Sequence, residues 1–230
     1  MQAEGRVSEL VLLDGVPSAR INCPAGLVPA PGQYVLAHAG GSDAPLASVL
    51  FASSVLQDGF IAATPIPSTW SPGTRLHLRG PLGQGFRLPV TVRRIGLIAF
   101  RVSPRILLSL LEPALRQNAA VALVTGHIPE DLPLQVEVQP LHALLDICRW
   151  ADFAAIDIPR ELLPELRGIL QAHRSSIRTE AEVLIRAPMP CGALAACGVC
   201  SVELNGKALL ACDDGPVFDL RQAMEWSNRD

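Results

Sequence analysis

Short runs of alternating or continuous apolar residues, cut by Gly, Pro, Asp and Ser, occupy the first 92 positions. "SELVLLDGV", "ARINCPA", "GQYVLAHAG", "ASVLFASSV", "GFIAATPIP" and "TRLHLRGP" each read as a strand, and their regular spacing predicts a small antiparallel β-barrel with no helix inside it. The pattern changes at Arg93. "IGLIAF" is a continuous apolar run, as expected of a strand buried on both faces. "SPRILLSLLEPALRQN" then carries Ile106, Leu107, Leu110, Leu111 and Leu115 at helical spacing, with Ser103 as N-cap and Pro104 at the first helical position. "AAVALVTG", "LPLQVEVQ" and "DFAAIDI" read as strands, while "PLHALLDICRW" and "RELLPELRGILQAH" read as helices. Strands alternating with helices predict a parallel α/β sheet over residues 93–178, small for a complete nucleotide-binding domain.

Residues 179–230 have a third character. "EAEVLIRAPMP" leads into "CGALAACGVC", and "CSVELNGKALLAC" predicts a two-stranded hairpin turning at Asn205-Gly206. The expected organisation is thus a multidomain β plus α/β chain: a barrel over 1–92, a reduced α/β unit over 93–178 and a cysteine-rich unit over 179–230.

Composition narrows the function. Of 230 residues 49% are hydrophobic and 18% charged, so a packed core is expected. The net charge of −3 and the lack of any long basic run give no reason to expect nucleic acid or an anionic membrane as partner. "MQAEGRVSEL" has no apolar core of the signal-peptide kind and no apolar run is long enough to span a bilayer, so a soluble cytoplasmic protein is expected. The five histidines are scattered, and no acid–base constellation competes for attention.

Cysteine carries the chemistry. Cys23 and Cys148 stand alone, but Cys191, Cys197, Cys200 and Cys212 fall within 22 residues, as C-x5-C-x2-C-x11-C. In a reducing compartment such clustering favours a metal site over disulfides. Four thiolates suit either a tetrahedral zinc or an iron–sulfur cluster. The Gly/Ala-rich surroundings, which let backbone N–H groups approach anionic sulfides, and the single C-x2-C knuckle favour a [2Fe-2S] cluster; a structural zinc is the alternative. The first gap is one residue longer than the plant-type spacing.

"MPCGALAACGVC" followed by "CDDGPVFDL" resembles the C-terminal cluster domain of the electron-transfer subunit of dihydroorotate dehydrogenase B, at Met189, Cys191, Gly192, Cys197, Cys200, Cys212, Asp214, Gly215, Pro216, Val217 and Phe218. Upstream, "APGQYVLAHA" and "SPGTRLHLRGPLGQGFRLP" resemble strands of the ferredoxin-reductase-like FAD barrel. The resemblance implies a [2Fe-2S] cluster held by the four cysteines, FAD in the barrel, and a hetero-oligomer with an FMN-bearing catalytic subunit that oxidises dihydroorotate in pyrimidine biosynthesis. Carried over, the flavin residues are Pro45, Leu46, Ser48, Gly80, Pro81 and Gly83. The motif departs at Ala44, which stands where the family has arginine, and FAD stays open. Trp70 or Phe51 could stack on a flavin, though a lone barrel aromatic is more often core. The turn after "IGLIAF" has no glycine and the family's Cys-Gly-Pro becomes Asp157-Ile158-Pro159, so NAD(H) is not expected; either Arg101 or Arg105 could bind a phosphate, though an arginine at a helix start is more often solvated. The competing readings are a cluster-only relay or adaptor without flavin and nicotinamide chemistry, and a zinc-stabilised module.

Overall fold

The protein is described by a computed structural model covering residues 1–40, 46–63, 65–177 and 179–225. Six strands, β1 (Gln2–Leu13), β2 (Val16–Asn22), β3 (Tyr34–Ala39), β4 (Ser48–Leu56), β5 (Gly59–Ala62) and β6 (Arg75–Leu82), close into an antiparallel barrel in the order β1-β2-β5-β4-β3-β6. The period-2 alternation decides what each face meets. Val35, Ala37, Leu50 and Ala52 point inward to join Val7, Ile21, Phe60, Leu76 and Leu78. The intervening Tyr34, Leu36 and Phe51 belong instead to the core of the rest of the molecule. Trp70 packs in the barrel interior and Phe51 is 5% exposed beside Tyr34, so both aromatics are core residues.

The second sheet runs β14-β11-β10-β7-β8-β9. Its members are β7 (Arg94–Ala99), β8 (Ala120–Val124), β9 (Val136–Gln139), β10 (Phe153–Pro159), β11 (Glu180–Arg186) and β14 (Val217–Asp219). The first five are parallel, and β14 adds antiparallel to β11. As the continuous apolar run requires, Ile95, Leu97, Ile98 and Ala99 are fully buried. Three short helices connect the strands: α1 (Leu111–Arg116), α2 (Leu144–Trp150) and α3 (Leu163–Gln171). The helix expected from Ser103 onward winds as a 3-10 helix over Pro104–Leu110 before α1 begins. Pro113 has no N–H to donate and is tolerated only in the first turn of an α-helix, which places the start of α1 at Leu111. Ser103 does cap this segment, accepting from the Arg105 N–H.

β11 was legible only as a lead-in to the cysteines. Its charged Glu180, Glu182 and Arg186 mask a buried run of Val183, Leu184 and Ile185 that pairs in register with β10. β11 and β14 both come from the third stretch of sequence yet both belong to this sheet. Beyond β11 stands the expected hairpin, β12 (Ser201–Leu204) and β13 (Lys207–Leu210), with Asn205 and Gly206 at φ 52 and 68°. That is the left-handed pair a two-residue type I′ turn demands. The chain closes through β14 into α4 (Leu220–Ala223), capped by Asp219. Among the described residues no helix is long and apolar enough to cross a membrane.

Candidate metal centre

The hairpin determines where half of the thiols lie. Cys200 immediately precedes β12 and Cys212 follows β13, and the Ala211 N–H donates to the Cys200 carbonyl at 3.1 Å. Strand pairing therefore brings their Sγ atoms to 3.2 Å. Cys191 and Cys197 lie on the loop between β11 and β12, with Sγ atoms 3.3 Å apart. All four thiols are free. The first pair is buried, at 1% exposure each, whereas Cys197 is exposed and Cys191 half-buried.

The thiols lie as two close pairs, one buried and one at the surface. A two-iron cluster needs two thiolates on each iron, so the donor set fits the cluster. The thiols are unequally prepared for it. The Cys197 thiol's hydrogen bond and then backbone groups at Ala195 pull Cys191 down to about 7. Burial, followed by the neighbouring Cys200 thiol, pushes Cys212 up to about 12. Cys191 thus offers a thiolate near neutral pH, and Cys212 must release its proton as metal enters.

Residues outside the tail hold this loop, and sequence reasoning did not single them out. Tyr34, the chain's one tyrosine, donates from its buried hydroxyl to the Cys212 carbonyl at 2.8 Å. Arg79 on β6 donates to the Gly192 carbonyl. Arg160 bridges the Val199 and Ser201 carbonyls at 2.8 and 3.0 Å, and Arg167 reaches the Glu203 and Ala223 carbonyls at 2.9 and 2.7 Å. Arginine spends its fixed fork on backbone oxygens here, and nothing local in sequence marks such use.

The flavin candidates are placed less favourably. Pro45 lies outside the described residues; Leu46 is 58% exposed and Ser48, at the start of β4, is half-buried. Gly80 and Gly83 are already in contact with the chain itself. A Cβ on Gly80 would stand 3.0 Å from Val35 Cγ2 and 3.2 Å from the Tyr34 carbonyl oxygen. One on Gly83 would meet the Gly215 carbonyl oxygen at 2.6 Å and Pro216 Cδ at 2.7 Å. Pro81, joined to Gly80 by a cis bond, is half-buried beside them. The string "GPLGQGF" is thus a junction at which the barrel receives the "CDDGPVF" tail, with the Gln84 N–H donating to the Gly215 carbonyl.

The carboxyl end of the parallel sheet, where a dinucleotide would sit, is filled by the protein's own ion pairs. Asp157 is fully buried and accepts from Arg186 Nε at 2.7 Å and Nη2 at 2.5 Å, while Arg186 Nη2 also donates to the Ser103 carbonyl at 3.0 Å. Burial pushes the Asp157 carboxyl above its ordinary value, against the pull of Arg186. Arg101 pairs with Glu165 at 2.6 Å. Arg105 is neither solvated nor free for phosphate: it is 4% exposed, grips Asp14 through two nitrogens at 2.8 and 2.5 Å, and reaches Asp131 at 2.6 Å. A cleft of about 480 Å³ remains between barrel and sheet, lined by Leu13, Asp14, Arg101, Ser103, Arg105 and His127. With its arginines engaged and no glycine in the turn that follows β7, this end does not fit a nicotinamide dinucleotide.

Residues 187–223 match the family model of the iron-sulfur cluster binding domain of dihydroorotate dehydrogenase B. The match covers the C-terminal segment, which is similar to that domain. The barrel-plus-sheet architecture is the ferredoxin-reductase-like fold. A chain from the NADH-dependent reduced ferredoxin-NADP oxidoreductase structure superposes with a TM-score of 0.72 at 17% identity, over 96% of this chain and 89% of that one. The ferredoxin reductase of carbazole 1,9a-dioxygenase, in its FAD apo form, gives 0.57 at 17% identity, over 77% of this chain and 65% of its own. A ferredoxin NADP+ reductase from Neisseria gonorrhoeae with bound FAD and NADP gives 0.53 at 13% identity, over 80% and 98% respectively. The expected fold class and the resemblance of the tail to dihydroorotate dehydrogenase B are both borne out, and the match of the tail supports an iron–sulfur cofactor.

Proposed function

We propose that the chain is an electron-transfer subunit whose [2Fe-2S] cluster, bound by Cys191, Cys197, Cys200 and Cys212, passes electrons to or from a flavin-containing dihydroorotate dehydrogenase-type partner. The carrying observation is the division of four free thiols into two close pairs, one buried and one at the surface. When bound, such a cluster accepts and returns one electron at a time. The chain's own residues do the rest. Cys200 and Cys212, held by the β12–β13 hairpin, screen the inner side from water. The loop Ala193–Val199 is uncharged and exposed, with Leu194 at 72% and Val199 at 46%, so a partner can seat against it without stripping water from charges. A role in pyrimidine biosynthesis follows from the family and is part of this reading.

For a flavin the described residues offer little. Leu46 and Ser48 remain the groups one would meet, but Gly80 and Gly83 are committed to packing. A second reading, a cluster relay that takes electrons from a protein donor instead of a nicotinamide, is favoured by the Asp157–Arg186 pair at the sheet's end.

The test is the visible spectrum of anaerobically purified protein, before and after dithionite, with iron and acid-labile sulfide assayed per chain. Charge-transfer bands that bleach, with equal iron and sulfide, are the expected result. A superimposed flavin band restores the full family chemistry, and its absence with no response to NADH favours the relay. A colourless, zinc-bearing protein, or a Cys200→Ser variant with unchanged iron and spectrum, refutes the proposal.

A further inference from the structure

Arg79 stands out among the residues that hold the ligand loop. It lies on β6, across from Leu36 of β3, on the side of the barrel facing the cysteines. Its guanidinium donates to the carbonyl of Gly192, the residue after the first ligand. Its Nε is buried and without a hydrogen-bond partner, and among the described residues no carboxylate stands within ion-pairing distance of it. Every other arginine buried as deeply around the sheet is matched, Arg105 by Asp14 and Asp131 and Arg186 by Asp157. The Tyr34 phenol, bonded to the Cys212 carbonyl, lies within electrostatic reach of Arg79 and of Cys191, Cys200 and Cys212 together. A half-buried cation left without an anion is costly, and the thiolates that surround Tyr34 together with Arg79 are a negative charge that can offset it.

We propose that Arg79 is the built-in counter-charge of the cluster, pinning the Cys191–Cys197 loop and raising the cluster's reduction potential. This rests on the cluster assignment above. Reduction delivers one electron from the reductant, dithionite in the test, and makes or breaks no bond. Four thiolates, two sulfides and two ferric ions sum to a negative centre that gains a further negative charge, so a cation held beside it favours the reduced form. The low dielectric behind Tyr34 and Leu36 preserves that preference against screening by salt. Arg79 does not ligate metal; it is a positioning residue, and a purely structural role would leave the potential unmoved.

The experiment is a redox titration of the purified full chain, followed in the visible region, with iron and sulfide per chain measured in parallel. Arg79→Gln removes the charge and keeps a donor; Arg79→Lys keeps the charge. We expect the Gln variant to lose tenfold or more in the one-electron reduction equilibrium, about 59 mV downward for one electron, and the Lys variant to stay near wild type. An unchanged potential in a loaded Gln variant overturns the proposal, as does a Lys variant that falls as far as Gln. If Gln fails to hold iron while Lys loads at the wild-type potential, the charge is required and the proposal stands. If both fail to load, the loop needs the guanidinium's shape instead of its charge, and the proposal is overturned. Wild-type protein without iron and sulfide would instead defeat the cluster assignment itself.

Discussion

Gly83→Ala should pull the tail off the barrel. Gly83 sits at φ +73°, and a Cβ there would lie 2.6 Å from the Gly215 carbonyl oxygen, 2.7 Å from Pro216 Cδ and 3.1 Å from Tyr34 Cε1. The first two neighbours are backbone and a proline ring, which cannot swing aside. A left-handed conformation costs a residue with a Cβ about 1–2 kcal/mol, and overpacking at a closed contact costs about 1–3 more. For a chain of this size each kcal/mol lowers Tm by roughly 2–4 °C, so the expected drop is about 4–20 °C. Gly15 supplies the control: it has φ +77° in the β1–β2 turn but nothing within 4 Å, so Gly15→Ala feels strain alone and should lose only about 2–8 °C. The assay is thermal melting by circular dichroism, with cluster absorbance recorded over the same ramp. Gly83→Ala should also bleach its cluster at a lower temperature than Gly15→Ala, because the displaced residues follow Cys212 directly. Equal losses in the two variants would refute the claim that close approach of the tail, and not turn geometry, is what position 83 requires.

Other perturbations follow from the same contacts. Arg105→Met leaves the Asp14 carboxylate with only the His127 ring, 3.8 Å away, beside it and should cost about 3–5 kcal/mol, read as a fall in the denaturant midpoint; a loss under 1 kcal/mol would show the pair to be incidental. The Arg105 hydrogen bond holds the Asp14 carboxyl below its ordinary value of 3.8; its stabilisation is therefore complete above that value and lost as pH falls through the lowered one, so Asp14→Asn should flatten the acid limb of a plot of Tm against pH. Arg160→Ala removes two charge-assisted bonds to the loop carbonyls of Val199 and Ser201, and iron should pass to an external chelator several-fold faster, with little change in the barrel's melting. Cys23→Ser and Cys148→Ala should retain full iron and sulfide, since neither thiol approaches the paired four; loss of iron in either would undo the ligand assignment.

The sequence displayed the elements whose cause is local. Barrel strands announce themselves by alternation, the hairpin by Asn205-Gly206, and the metal site by thiols crowded into a short stretch. What it concealed are relations between distant positions. Asp14 and Arg105 meet across the two main units, and each alone reads as a surface charge. The glycines of "GPLGQGF" read as part of a flavin site until Gly215 and Pro216 are seen against them. β11 looks like a linker because only β10 and β14 on either side make its apolar run a buried strand. The spacing of the cysteines also left zinc and iron–sulfur both possible, because four thiolates so spaced can serve either.

β14 is three residues long, yet it covers the outer edge of β11 along Glu182, Val183 and Leu184. Were it to lift away, β11 would offer a row of unpaired amides beside a hydrophobic run, the kind of edge on which a second chain can template. The last cysteine ligand lies only a few residues upstream, so whatever fixes the ligand loop also keeps this seal shut. Iron supply would then govern more than colour and electron flow: a chain starved of it, with its final strand unanchored, is the one exposed to aggregation and to proteases.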